Sequence, residues 1–162
     1  MLDSVQSVLE DQIRDLYSAE NQLLKALPRM AKKANTPTLK EAFESHLEET
    51  KEHVERLQQI AEILEVKPGG KKCKGMEGLI AEGKEALEED GEDAALDAAI
   101  IAAAQRVEHY EISAYGTARA LAERLGDRKI IQLLEATLEE EKAADEKLTQ
   151  IAESHVNMEA AA

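Results

Sequence analysis

Apolar residues recur every three or four positions over four long stretches of the chain. In the first stretch this spacing is followed by Val5, Leu9, Ile13, Leu16, Leu23, Leu27 and Met30. Such spacing places the apolar side chains on one face of an α-helix. The pattern predicts helices at about 3–34, 36–66, 93–125 and 127–156. Pro28 lies inside the first of them, where proline favours a kink or a local break.

The connections between the predicted helices differ in length, and this difference decides the topology. Asn35-Thr36-Pro37 separates the first pair and Gly126-Asp127 the second, so each pair is expected to form an antiparallel hairpin. The segment 67–92 is long enough to run along the bundle, and 76–89 within it predicts a short helix. We therefore expect an all-α, ferritin-like four-helix bundle with one long crossover. Residues 1–162 would form one domain with a short, fraying tail at 157–162.

Composition supports this fold class and argues against several partners. With only three prolines and no tryptophan among 162 residues, long runs of good helix formers are uninterrupted. A formal net charge of −14 argues against nucleic acid and against an anionic membrane surface. No stretch has the length of a membrane span, and the N-terminus lacks the pattern of a signal peptide, which together predict the cytoplasm.

Acids or histidines interrupt the apolar face of every predicted helix near its middle. The interrupting residues are Glu20, His46, Glu49, His53, Glu108, Glu111, Glu141 and Asp145. An isolated buried carboxylate is costly unless it is paired or bound to a metal. Interruptions in all four helices therefore indicate a common cause.

The interrupting glutamates are expected to lie at one level of the bundle. Glu20 lies 16 residues before the cap residue Thr36, and Glu49 lies 13 residues after it. Glu111 and Glu141 lie 16 residues before and 14 residues after the cap of the second turn. Because each helical residue rises about 1.5 Å, similar counts on the two sides of a turn mean similar heights. Each hairpin thus sets one glutamate opposite another.

Two metal ions would neutralise such a cluster, in which like charges raise pKa values. Carboxylates with one or two imidazoles suit iron and manganese, and a chain with one cysteine has no thiolate zinc site. We predict two iron ions, with manganese as the alternative, and a hydrogen-bonded polar layer as the competing interpretation. The predicted ligands are Glu20, His46, Glu49, Glu108, Glu111, Glu141 and Asp145.

Some neighbouring residues receive other roles. His46 and His53 are seven residues apart, or about 10 Å along a helix, so only one is expected to reach the metals, and we favour His46. The three tyrosines are expected to pack or to contact ligands rather than to bind metal. Cys73, in the crossover beside lysines, is expected to be a surface or half-buried thiol.

Five segments of the chain resemble the YciF/YciE-type bacterial stress proteins. They are Leu16-Tyr-Ser-Ala-Glu-Asn-Gln-Leu23, His46-Leu-Glu-Glu-Thr50, Cys73-Lys-Gly-Met-Glu-Gly-Leu79, Val107-Glu-His-Tyr-Glu-Ile112 with Tyr115-Gly-Thr117, and Thr137-Leu-Glu-Glu-Glu-Lys142. The likeness covers almost the whole chain. It implies a ferritin-like fold, a homodimer and an association with stress responses.

A wider likeness is to the rubrerythrins. Their first and third helices are similar to Ala19-Glu20-Asn21-Gln22 and to the pair Glu108 and Glu111, which implies metal roles for these three glutamates. The chain departs where Thr50 replaces a glutamate of the second helix and where Asp145 takes the place of a ligand histidine. Rubredoxin-type cysteine pairs are missing, so an electron-relaying peroxidase of the full rubrerythrin kind is not expected.

Together these features favour a di-iron or di-manganese carboxylate protein of a bacterial stress response. Its partners would be the metal ions and oxygen or peroxide, and its activity that of a peroxidase- or ferroxidase-like oxidoreductase. The alternatives are an iron-storing protein of the mini-ferritin kind and a non-catalytic helical interaction protein. We expect a homodimer rather than a cage, in part through a small-residue surface at Ala98, Ala99, Ala102 and Ala103.

Overall fold

The computed structural model describes residues 2–162 as helices joined by short turns and one long connection. The elements are α1 (Val5–Lys33), α2 (Pro37–Ile63), α3 (Lys74–Glu88), α4 (Asp93–Leu125), α5 (Arg128–Ile151), a π-helical turn (Ala152–Val156) and α6 (Asn157–Ala160). Helix α1 packs on α2 and α4 on α5, and contacts of α1 with α4 and of α2 with α5 close the bundle. The predicted all-α bundle, with α3 inside the crossover, is therefore confirmed.

The local sequence explains where the helices begin and end. Ser4 caps α1 by accepting a hydrogen bond from the backbone N–H of Ser7 at 3.1 Å. Asp127 caps α5 by accepting from the backbone N–H of Ile130 at 3.0 Å. Gly126 ends α4 with a φ of 79°, a conformation that favours a residue without a β carbon. The short turn at 126–127 thus fixes the second hairpin.

The observed helices differ from the predicted ones at four places, one of which is the π-helical turn Ala152–Val156 at the end of the predicted fourth helix. Helix α1 continues through Pro28 without a break, because the buried residues on both sides of it hold the helix against the core. Helix α2 ends at Ile63, since Glu65 adopts a positive φ of 56° that no helix continues. Residues 157–160 form a short helix rather than a frayed tail, because the preceding Val156 is fully buried.

Asp97 of α4 fixes the turn between α1 and α2. Its carboxylate accepts hydrogen bonds from the backbone N–H groups of Asn35 at 2.9 Å and Thr36 at 2.7 Å, and its side chain is buried. The side chain of Thr36 makes no capping hydrogen bond to α2, so Asp97 satisfies backbone donors at this helix end. The two hairpins are thereby held in register.

Cys73 anchors the crossover to the bundle and is fully buried, contrary to the expectation of a surface or half-buried thiol. Its Sγ lies 2.9 Å from the hydroxyl of Tyr110, which donates to Asp15 at 2.7 Å. A β carbon on Gly75 would lie 2.7 Å from the Tyr110 ring, so the close packing of α3 here requires glycine. Burial raises the pKa of the Cys73 thiol, which favours its protonated form.

Helix α3 covers part of the alanine-rich face of α4. Ala103 is buried, and Ala98 is half-buried against the core. Ala99 and Ala102 remain exposed. Only two of the four alanines predicted for a dimer surface are therefore exposed, and Ala103 packs near Gly83 of the crossover helix.

The apolar core consists of two clusters separated by a polar layer. One cluster lies towards the α1–α2 turn and includes Leu27, Leu39, Phe43 and Ile101. The other lies towards the opposite end and includes Leu9, Ile13, Leu57 and Leu134. Within residues 2–162 no helix is long and apolar enough to cross a membrane.

Candidate metal centre

Six acidic or histidine side chains from the four long helices meet in the polar layer. They are Glu20 of α1, His46 and His53 of α2, Glu108 and Glu111 of α4, and Glu141 of α5. None of them is more than 6% exposed. The pairs on α2 and α4 are seven and three residues apart, spacings that return a side chain to the same helix face.

Their donor atoms form two groups that share one carboxylate. The first, here named the His46 group, consists of His46, Glu108, Glu111 and Glu141. The second, named the His53 group, consists of Glu20, His53 and Glu141. Within each group, one donor atom per residue lies within 4.8 Å of all the others. Such groups have the size and the residue types of metal sites.

Glu141 faces one group with each of its oxygens. Its Oε2 lies 3.4 Å from His46 Nε2, and its Oε1 lies 3.1 Å from His53 Nδ1. Glu108 Oε1 lies 3.4 Å from His46 Nε2, and Glu20 Oε1 lies 3.3 Å from His53 Nδ1. Each imidazole therefore has one carboxylate of its own and one oxygen of the shared carboxylate beside it.

Eight buried polar atoms of this layer have no hydrogen-bond partner within the described part of the chain. They are Glu20 Oε2, His46 Nε2, His53 Nδ1, Glu108 Oε2, both carboxylate oxygens of Glu111 and both of Glu141. A buried polar group without a partner costs about 1–3 kcal/mol, and native proteins have only a few such groups. Cations bound between these atoms would satisfy all eight, so the residues fit a pair of metal ions.

Most of the buried carboxylates hold protons more tightly than they would in water. Burial raises the pKa of Glu108 and Glu111 well above the usual range, and the charges of neighbouring carboxylates add to the rise. Burial also raises the pKa of Glu20. Burial acts the same way on Glu141, but the close approach of His53 and the charge of His46 outweigh it and lower its pKa. Metal binding must therefore displace protons.

Both histidines hold protons more tightly than usual as well. Burial lowers the pKa of His46, but Glu108 and Glu49 outweigh burial and raise it to about 10. Contacts with Glu141 and Glu20 likewise outweigh burial and raise the pKa of His53 to about 11. In the absence of metal, imidazolium groups thus balance part of the carboxylate charge.

A further carboxylate, here called the outer carboxylate, lies against the ring nitrogen of each histidine that points away from the layer. Glu49 Oε2 lies 3.0 Å from His46 Nδ1, and Glu140 Oε2 lies 2.8 Å from His53 Nε2. Metal-binding histidines usually donate their other N–H to such a group, which fixes the ring orientation. His46 is thereby left with Nε2 for a metal and His53 with Nδ1, so the two groups use opposite ring nitrogens.

These two outer carboxylates are held with different firmness. Arg56 donates to both oxygens of Glu140 at 2.5 and 2.9 Å, and also to Thr137 at 3.1 Å. Burial raises the pKa of Glu140, but Arg56 outweighs burial and lowers it, so this carboxylate stays charged. The Glu49 side chain is 42% exposed, and His46 is its hydrogen-bond partner.

Two of the seven predicted ligands do not face the layer. Glu49 borders the inner face, as its position predicted, but its carboxylate contacts the outer side of His46. Asp145 accepts a hydrogen bond from Gln105 at 3.1 Å and lies 3.1 Å from His109. Four residues advance a helix by about 40° beyond a full turn, which carries Asp145 from the centre towards α4.

Two residues that the sequence did not place among the ligands lie in the layer. The ring centres of His46 and His53 are 6.1 Å apart, because the side chains lean towards each other across two helical turns. Both histidines therefore lie in the layer, although the spacing led us to expect that only one of them reaches the metals. The buried hydroxyl of Tyr115 donates a hydrogen bond to Glu20. Its position four residues after Glu111, on the same helix face, was the available signal.

Comparisons with known proteins agree with this architecture. A family model described as a domain of unknown function (DUF892) matches residues 4–161. Protein YciF of Escherichia coli K12 is 47% identical over 160 residues, which are 98% of this chain and 96% of YciF. The crystal structure of that stress protein superimposes with a TM-score of 0.92, over 96% of this chain and 99% of YciF's resolved chain.

Two further solved structures have the same fold. YcfI from Rhodopseudomonas palustris is 45% identical with a TM-score of 0.89, over 93% of this chain and 96% of YcfI. A protein from Xanthomonas campestris has a TM-score of 0.75 at 21% identity, over 94% of each chain. The latter likeness shows the fold alone.

Proposed function

We propose that the polar layer of this chain, which belongs to the DUF892 family and is similar to the stress protein YciF, holds two iron-type ions. The observation that carries this proposal is the convergence of eight unpaired buried donor atoms in two groups that share Glu141. Carboxylates with imidazoles and no thiolate suit iron and manganese. Cys73 supplies none of these donors.

Each residue of the layer has a role in this proposal. Glu141 lies between the groups, with one oxygen beside each histidine, and would contribute to the binding of both ions. His46 and Glu108 complete one site, and His53 and Glu20 complete the other. Glu111 belongs to the His46 group and would add a further carboxylate to that site.

The proposed chemistry is a reaction with hydrogen peroxide or oxygen during bacterial stress. Two ferrous ions, if bound by these residues, would supply the two electrons that, with two protons, reduce hydrogen peroxide to two waters and would become ferric. The apolar clusters shield the layer from solvent at both of its ends along the bundle. The Tyr115 hydroxyl holds a proton at Glu20 beside the layer.

Metal content tests the proposal directly. Apo-protein incubated anaerobically with ferrous iron should retain about two ions per chain after desalting, measured by elemental analysis, because the layer offers two donor groups. One equivalent of hydrogen peroxide should then oxidise both ions, followed by the near-ultraviolet absorption of ferric carboxylates. Protein that retains neither iron nor manganese after careful loading would contradict the metal centre.

We further propose a homodimer rather than a storage cage. Both donor groups come from one chain, so the site needs no second subunit to be complete. The exposed Ala99 and Ala102 allow a close approach of another helix. Light scattering should give about twice the mass of the chain, and a particle of many subunits would favour storage instead.

A further inference from the structure

A small cavity between α2 and α5 leads from the surface to the His46 group. Its volume is about 100 Å³. His46 and Glu108 line its inner end, and Glu49, Ala144 and Lys147 are among the residues nearer the surface. His46 and Glu108 each carry one of the unpaired donor atoms, His46 Nε2 and Glu108 Oε2. The cavity thus ends at two residues that have unpaired polar atoms.

The His53 group is closed from the same side. Glu20 and His53 are fully buried, and neither lines the cavity. Glu140 covers the outer nitrogen of His53 and is itself clamped by Arg56. A molecule that enters the cavity therefore meets the His46 group and is separated from Glu20 and His53 by protein.

On the premise of the metal centre, we propose that this cavity binds hydrogen peroxide and admits it to the His46 group alone. A water molecule occupies about 30 Å³ in the liquid, so the cavity has room for about three water-sized groups. Hydrogen peroxide, with two oxygens, fits this space. Benzene fills an engineered cavity of about 150 Å³, so cumene hydroperoxide, a substituted benzene, is too large for this cavity.

Two alanines determine the width of the cavity. Ala143 is exposed and Ala144 half-buried on α5, opposite the α2 residues that line the other wall. Leucine at position 144 would add three carbons to a space of about 100 Å³. Ala144 is none of the six layer residues and is half-buried in the cavity wall, so Ala144→Leu should close the cavity while leaving the ligands in place.

Azide binding to the cobalt(II)-loaded protein tests this proposal without turnover. Azide is a three-atom anion of suitable size, and its binding changes the visible spectrum of cobalt. Ala144→Leu should weaken azide binding at least tenfold while cobalt content stays at the wild-type value. The matched control is Ala136→Leu, an exposed alanine on the same helix outside the cavity, which should leave azide binding unchanged.

The rates with two peroxides test the size limit. The ferrous wild type should react at least 100-fold faster with hydrogen peroxide than with cumene hydroperoxide in stopped-flow absorption. If Ala144→Leu fails to fold, as judged by circular dichroism, Ala143→Leu at the more exposed wall serves as the second variant. Equal peroxide rates, or unchanged azide affinity in a folded, cobalt-loaded cavity variant, would overturn the access proposal and leave the metal centre standing. Absence of cobalt binding in the wild type would overturn both.

Discussion

The His46 group and the His53 group contain similar parts in different surroundings. Each has a buried histidine, the shared Glu141, and an outer carboxylate that orients the imidazole. The His53 group is fully buried, and Arg56 clamps its outer carboxylate. The His46 group borders a cavity, and its outer carboxylate, Glu49, is half-exposed. A bundle can thus keep one half of a shared site rigid and leave the other half accessible.

The difference arises from the side chains of α5 that face α2. Near His53 these are Thr137 and Glu140, which Arg56 of α2 ties together by hydrogen bonds. Near His46 they are Ala143 and Ala144, which are too short to fill the space. The same two helices therefore close the layer at one height and leave a cavity one to two turns further along.

The largest effect is expected from the residue that the two groups share. Glu141→Gln keeps the side-chain volume but removes the charge and one anionic oxygen from each group. Loss of an outer-shell partner typically costs 10–100-fold in metal affinity, so loss of a residue proposed as a ligand of both ions should cost at least about 100-fold for each. Elemental analysis and chelator competition would measure stoichiometry and affinity.

Glu139→Gln is the matched control for this variant, because Glu139 is exposed on the same helix and pairs with Lys142 at 2.7 Å. It should bind two ions like the wild type. Loss of only one ion in Glu141→Gln would mean that the two groups do not depend on a common carboxylate.

A change of pH should alter metal affinity by an amount similar to that expected for Glu141→Gln. A raised carboxylate pKa, as for Glu108 and Glu111, stabilises the apo-protein at low pH and loses this contribution as pH rises above 4.5. The contribution of His46 to the stability of the apo-protein is fully present below pH 6.5. It is lost as the pH rises through the pKa of His46 in the folded protein, which is about 10. Metals displace these protons, so binding should tighten about tenfold per pH unit for each proton released.

Thermal melts of the apo-protein and the manganese-loaded protein at several pH values measure this linkage. The difference between their melting temperatures should widen from about pH 6 to about pH 8, because apo stability falls while metal affinity rises. A constant difference would mean that the layer releases no protons when metal binds.

The sequence predicted the fold and the level of the layer because both depend on counting along rigid helices. Equal distances from two short turns placed Glu20 and Glu111 at one height with Glu141, and the structure brings these three together. The large cost of unpaired buried carboxylates made their common position informative. Neither step needs knowledge of side-chain conformation.

The remaining errors concern the direction of individual side chains. His53 reaches the layer because its ring leans along the helix axis, and Glu140 contacts it from outside the apolar face. Asp145 turns towards Gln105, since the rotation of α5 relative to α4 decides which neighbour it meets. Periodicity gives the face on which a residue lies but not the rotamer or the partner across the helix interface.

Substitutions of the two outer carboxylates should lower metal affinity by different amounts, because only Glu140 is held in place by Arg56. Glu140→Gln removes a charged acceptor that Arg56 holds in place, so affinity of the His53 group should fall about 10–100-fold. Glu49→Gln should cost less, about tenfold at most, because Glu49 is half-exposed and screened by solvent. Stepwise chelator competition with cobalt would resolve the two ions. Equal losses would show that clamping by Arg56 does not matter.

The smallest effect is expected at Asp145, which the sequence placed among the ligands and the structure places beside Gln105 and His109. Asp145→Asn keeps its shape and one acceptor oxygen, and His109 is too exposed for their ion pair to contribute much stability. Metal affinity should therefore stay within about twofold of the wild type in the same chelator competition, and two ions should still bind.

A tenfold loss confined to one ion would mean that Asp145 turns inwards when metal binds. Asp145 lies one helical turn from Glu141, in the direction of Leu148. Leu148 belongs to the same apolar cluster as Phe43, which is near His46. The weakened ion would therefore be that of the His46 group. The accessible half would then have a ligand that moves, and the contrast with the rigid His53 group would be greater than the metal-free arrangement indicates.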